Sequence, residues 1–254
     1  MNLSLQQYES LNPRCEVVHA GTVMTFVTPS VMTKGRVDTI YAKEPCTLEW
    51  IDSFGADDIL VDVGANVGMY TIWAAATKKA RVFAFEPEAQ NYALLNRNII
   101  ANNLQGRTKA FCMGLSDRWG LTELNMIDMR VGGSNHAVGE ALNFEMQPFK
   151  PTFQQGCIMA RLDELVADGF VPVPNHIKID VDGFEPKVIA GAGDILKNPG
   201  LRSLLIETNP NLPEHRAMVH VLTDLGFKYD PAQVHRAMRK DGPFKGVAEH
   251  VFRR

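Results

Sequence analysis

The chain of 254 residues has no charge-free apolar stretch long enough to span a bilayer, and its first residues, Met1 to Arg14, lack the apolar centre of a secretory leader. The expectation is a cytoplasmic protein with no integral membrane segment. An excess of one charge is also missing. With 26 basic and 29 acidic residues the net charge is −3, so nothing electrostatic points to nucleic acid or an anionic membrane as partner. Cysteine is scarce: Cys15, Cys46, Cys112 and Cys157 lie far apart, with no C-x-x-C pair and no metal-ligand spacing. That argues against a disulfide framework and for buried, unreactive thiols in a reducing compartment. Internal repeats and low-complexity segments are absent. What remains is a 45% hydrophobic chain able to bury a full core, expected as an N-terminal cap over 1–55 and one domain over 56–254.

Along the chain, Glu16 to Val27 reads as a hairpin or irregular cap, broken by Pro29 and Gly35. Glu44-Pro45 opens a helix whose Leu48, Trp50, Ile51 and Phe54 share an apolar side. Strands and helices then alternate: strands at Ile59–Val63, Val82–Glu86, Thr108–Met113, His176–Asp180 and Leu201–Glu207, with helices after most of them. Phe227–Tyr229 and Val247–Phe252 look like short edge strands. This order predicts an α/β fold, a doubly wound and mostly parallel sheet. Between Asp128 and Phe153 the residues are rich in Gly, Asn and Pro, a substrate-facing insert by its length.

The richest stretch is Ile59-Leu60-Val61-Asp62-Val63-Gly64-Ala65-Asn66-Val67-Gly68. It reads as a buried strand, a tight loop and a helix start, where glycines let the backbone turn sharply and approach a ligand. A dinucleotide fingerprint would need a middle glycine, and Asn66 stands there instead. Asp62 would repel a pyrophosphate but suits a ligand carrying an ammonium beside an adenosine, as S-adenosylmethionine does. Glu86, 22 positions after Gly64, closes the next strand at the spacing where an acid meets ribose hydroxyls.

In such a sheet ligands bind outside the carboxyl ends of the strands, and four core strands end at or near an acid: Asp62, Glu86, Asp180 and Glu207. In Lys178-Ile179-Asp180-Val181-Asp182-Gly183, period-2 alternation puts Asp180 and Asp182 on one face, close enough to raise the pKa of at least one, as a general base requires. Asp182 equally suits an N-cap for the helix that follows. Asp180 is the leading base, with His136 in the insert as a second candidate, while His176, Trp73 and Trp119 read as structural. Asp180 and Glu207 at neighbouring strand ends would also suit a divalent ion such as Mg²⁺.

The succession Glu44-Pro45, Trp50-Ile51, Val61 to Gly68, Phe85-Glu86-Pro87, Leu115-Ser116-Asp117 and Lys178 to Gly183 resembles the FkbM family of S-adenosylmethionine-dependent methyltransferases over roughly residues 40 to 230. The resemblance implies a Rossmann-like class I methyltransferase fold with seven strands, the last antiparallel, and O-methylation of a sugar, glycan or glycosylated metabolite. It implies cofactor contacts at Asp62, Gly64, Ala65, Asn66, Gly68, Thr71, Glu86, Pro87 and Asp180, with Ser116 near the adenine. The family usually has Glu where this chain has the shorter Asp182. Two other readings of the residues stand beside it, a nucleotide-dependent oxidoreductase and a non-catalytic module that keeps the fold.

Overall fold

A computed structural model describes residues 3–254. Helix α1 (Leu5–Ser10) precedes a hairpin of β1 (Arg14–His19) and β2 (Thr22–Val27), followed by α2 (Val31–Asp38), α3 (Ile40–Lys43) and α4 (Pro45–Asp52). Then come β3 (Ile59–Val63), α5 (Met69–Thr77), β4 (Arg81–Phe85), α6 (Ala89–Ala101) and β5 (Thr108–Phe111). Four strands, β6 (Gly114–Leu115), β7 (Gly120–Met126), β8 (Ala137–Val138) and β9 (Phe153–Ala160), make a second sheet. The chain returns through α7 (Leu162–Ala167), β10 (His176–Ile179), α8 (Glu185–Ala190), β11 (Ser203–Thr208), α9 (Pro213–Asp224), β12 (Lys228–Tyr229), α10 (Pro231–Ala237) and β13 (Ala248–Arg253).

The main sheet has the order β12-β13-β11-β10-β3-β4-β5, parallel except for β13, which runs antiparallel to both neighbours. Of the two short edge strands expected, β12 is at the edge and the last strand is not. It inserts between β11 and β12, and Glu249 and Phe252 are buried there. Strand order reverses between β3 and β10, which places the loops after Val63 and Ile179 side by side.

Apolar helix faces cover both sides of this sheet. One core holds Leu60, Ile72, Trp73 and Leu95 together with Met24, Phe26, Trp50 and Ile51, so residues from the N-terminal 55 share a core with α5 and α6. The other gathers Val61, Ile177, Ile206 and Phe252 beneath α7 to α9. Gly35 does not break the chain; it lies within α2, which Ser30 starts through a capping box with Thr33. Cys46 and Cys157 are buried as expected, Cys112 is exposed, and Trp119 lies on the surface at 61% exposure rather than in the core.

Besides that shared apolar core, buried polar bonds hold the hairpin to α6. On α6, Asn98 and Asn102 stand one turn apart; Asn98 Oδ1 accepts from Val27 N–H at 2.8 Å and its amide donates to the Val67 carbonyl at 2.8 Å. Asn102 likewise binds both N–H and carbonyl of Thr25. Asn98→Ala strands a buried donor and a buried acceptor at once, each worth about 1–3 kcal/mol. A loss of about 2–5 kcal/mol in urea unfolding is the expected outcome, and a loss below about 1 kcal/mol would show that the clamp is dispensable. His176 is structural, as expected. It stacks on Phe54 at 3.8 Å and joins Asp58 and Ser203 at the strand starts, opposite the loops that follow Val63 and Ile179, and burial lowers its pKa to about 4.

Candidate active site

Past the carboxyl ends of β3, β4 and β10 lies a cavity of ≈ 300 Å³, whose walls include Gly64, Asn66, Glu86, Ser116, Asp180 and Asp182. Four features build it. Gly64 and Ala65 donate their N–H groups to the Phe85 carbonyl, each at 3.0 Å, which ties the loop to the end of β4. Glu86 is buried, and its carboxylate accepts from Asn66 N–H at 2.7 Å and Glu88 N–H at 2.9 Å. Burial nevertheless carries its pKa up to about 7, against the pull of those two amides. Asn66 adopts φ 50°, a left-handed conformation that asparagine tolerates, and its side-chain amide donates to the Gly133 carbonyl at 2.6 Å.

The insert is thereby fastened over the loop. Gly133 also accepts from Asn91 at 3.1 Å, Gly132 N–H donates to Asn91, and Asn135 N–H donates to Asp182 at 2.7 Å. Residues 132–135 thus bridge α6, the loop after β3 and the turn after β10.

Several expected residues stand elsewhere. Asp62 is buried behind the loop, outside the cavity wall, where it accepts from Thr71 Oγ1 at 2.5 Å and faces Lys178 across the β3–β10 register. Asp62 and Thr71 brace α5 against β3. Gly68 too serves packing: at φ 86° a Cβ would meet Leu95 at 2.4 Å. Ala65 is buried, and Pro87 lines the cavity beside Glu86. His136 lies in the wall with both ring nitrogens enclosed and unpartnered among the described residues, and burial lowers its pKa.

Residues 62–229, most of the chain, match the family described as Methyltransferase FkbM domain. The chain belongs to the FkbM methyltransferase family. With that membership the oxidoreductase reading falls away, and the enzyme is a methyltransferase. It is 27% identical to the hexuronic acid methyltransferase AglP of Haloferax volcanii, over 70% of this chain and 68% of that one. It is 24% identical to the 31-O-demethyl-FK506 methyltransferase FkbM of Streptomyces tacrolimicus, over 60% and 65% of the two chains. A crystal structure of an FkbM methyltransferase from Methylobacillus flagellatus superposes with a TM-score of 0.51 at 15% identity, covering 79% of this chain and 44% of that one. The chain spans about two thirds of those curated relatives and under half of the solved one.

The electrostatics of this FkbM methyltransferase separate its two central acids. β10 ends at Ile179, so strand alternation does not reach Asp182; a turn with Asp182 at φ 54° and Gly183 at φ 108° brings it to the cavity instead. Glu185 shapes that turn by accepting from Val181 N–H at 2.8 Å and Gly183 N–H at 3.1 Å, and burial lifts its pKa to about 8. Burial would raise Asp180, but the Lys178 ammonium at 3.1 Å, with Lys43 beyond, holds it at about 2. Burial and the neighbouring Asp180 charge push Asp182 up to about 6. Arg239 bridges Glu207 at 2.7 Å and Glu249 at 3.2 Å, and its guanidinium stands over Phe244.

Asp180, Glu185 and Glu207 bring oxygens within 4.8 Å of one another, the grouping a divalent ion would want. Lys178, two backbone N–H groups and Arg239 each engage one of these carboxylates, so the three acids already have internal partners of opposite charge or N–H donors. Arg239 and Phe244 carry no sequence signal of this role, whereas Lys178, a lysine inside an otherwise apolar strand near an acid, does.

Proposed function

We propose that this methyltransferase takes its methyl group from S-adenosylmethionine and delivers it to an oxygen of a sugar or glycosylated metabolite. The observation that carries the cofactor half is Glu86, a carboxylate presented to the cavity at the end of β4 by two backbone amides, next to the loop after β3. A carboxylate so placed is the acceptor an adenosine diol calls for. Phe85, Met113, Leu115 and Ser116 line the neighbouring wall, where apolar surfaces would flank an adenine. When bound, S-adenosylmethionine supplies an electrophilic methyl on a sulfonium.

The sugar half rests on the relative named for hexuronic acid and on a lining that sets Phe184 and Phe244 together with Asp182 and Arg239, the mix of apolar and hydrogen-bonding groups a sugar ring takes. An acceptor oxygen must be held roughly 3 to 3.5 Å from the methyl, so orientation supplies much of the rate. A hydroxyl acceptor must lose its proton. Asp180, held near 2, is a weak base, whereas Asp182, near 6, is ionised at pH 7 yet basic enough to take a proton. Asp180 then serves as an ionised anchor.

Because only ionised Asp182 can accept the proton, kcat at saturating S-adenosylmethionine should rise with pH up to about 6 and flatten above it. Asp182→Asn should lower kcat about 10²–10⁴-fold and abolish that limb. A pH–rate profile of the variant that keeps the wild-type limb would reject Asp182 as the base. The acceptor class is tested by screening sugars, uronic acids and lipid-linked glycans with labelled S-adenosylmethionine. No labelled product across the panel would favour the non-catalytic reading.

A further inference from the structure

A narrow recess of ≈ 50 Å³ opens beside the loop after β3, walled by Arg36, Lys43, Gly64, Asn66, Tyr70 and Asp180. Arg36, Lys43, Gly64, Asn66 and Asp180 also line the main cavity, so the two spaces adjoin. The recess is electrically two-sided. Asp180 provides a fixed negative charge; Lys178 takes its Oδ2, and Oδ1 has no protein partner among the described residues. The same lining holds two cations from the N-terminal helices, together with Glu44 and Lys178. Arg36, on α2, donates through Nε to the Gly132 carbonyl at 2.8 Å and forms no ion pair among the described residues, which leaves its terminal N–H groups free. Lys43 contacts Glu44 at 3.0 Å and has further N–H donors to give.

We propose that this recess holds the amino-acid end of the cofactor, its ammonium on Asp180 and its carboxylate on Arg36 and Lys43. The inference rests on the S-adenosylmethionine reading above and extends it to residues outside the matched family segment, which begins at Asp62. Charge decides between ligand chemistries. A pyrophosphate would satisfy the cations but face Asp180 and the buried Glu44, whereas an α-amino acid carries both signs on one carbon and matches a lining of both signs. The anchoring is rigid. Ser30 caps α2 and also donates to the Val131 carbonyl at 3.0 Å, so the helix carrying Arg36 and the insert over the loop are one assembly. The first 55 residues thereby become part of the cofactor site rather than a cover.

The test compares two ligands by isothermal titration: S-adenosylhomocysteine, which has the amino-acid tail, and 5′-methylthioadenosine, which lacks it. Wild type should prefer the former by about 100-fold or more, the sum of two charge-assisted contacts. Arg36→Met and Lys43→Met should each weaken S-adenosylhomocysteine about 10- to 100-fold and leave 5′-methylthioadenosine within about threefold. Arg36→Lys, which keeps the charge, should recover part of the preference, and circular dichroism checks that each variant is folded. Unchanged S-adenosylhomocysteine affinity in both Met variants, or equal loss for both ligands, overturns the assignment. If neither ligand binds wild type, the cofactor reading itself is wrong, an outcome distinct from the other two.

Discussion

Glu86→Ala is expected to remove measurable binding of S-adenosylhomocysteine. The side chain would accept hydrogen bonds from two ribose hydroxyls, and bonds to a charged group are worth about 1.5–3 kcal/mol each, so the loss should reach about 10²–10⁴-fold. The substitution also frees the Asn66 and Glu88 amides, which now converge on the carboxylate, so the loop loses its preset shape. Charge can be separated from shape by pH. With its pKa near 7, wild-type Glu86 should bind the ligand better as the pH rises from about 6 to 8, and Glu86→Gln should show a weaker, flat profile. The same raised value acts oppositely on stability. The folded state keeps a proton that the unfolded chain releases near its ordinary 4.5, so this group's contribution falls as pH climbs from 4.5 to 7. Titration calorimetry showing wild-type affinity in Glu86→Ala would remove the basis of the cofactor assignment.

Gly64→Ala should be the most damaging single methyl in the molecule's centre. Gly64 has φ 78°, and a Cβ there would lie 1.9 Å from the Asp180 carbonyl oxygen and 3.0 Å from its carbon. Those atoms are backbone of a strand end held in register with β3, so they cannot swing aside. Left-handed strain costs about 1–2 kcal/mol and overpacking about 1–3 more. The expected drop in Tm is roughly 10 °C, at about 2–4 °C per kcal/mol for a chain of this size. Gly21→Ala is the control. Gly21 has nearly the same φ, 80°, but nothing within 4 Å of its would-be Cβ, so it should lose only the conformational part. Equal Tm losses for the two variants would show that the close approach to Asp180 is unimportant.

Gly64 and Gly68 stand out in the sequence as a ligand loop, but their immediate neighbours are Asp180 backbone and Leu95. Asn66 looks like a missing glycine; in the fold its amide fastens the insert. Asp62, the acid nearest the glycines, is turned inward to Thr71, and Asp180 lines the cavity instead. Alternation predicts the pairing of Asp180 with Asp182, and a turn produces it. The second sheet stayed invisible because β6 and β8 are two residues each, and β7 and β9 pair across the whole insert.

The sequence by itself determined the alternating α/β order, the family and the cavity acids at strand ends, because hydrophobic period and strand-end placement are local properties of the chain. Only the tertiary structure decided the insertion of β13, the burial of Asp62, the difference between Asp180 and Asp182, and the arrival of Arg36 and Lys43 beside the loop that follows β3. Each of these depends on charges or strands far apart in sequence, and electrostatic energy depends on distance in space and on burial, neither of which the order of residues records.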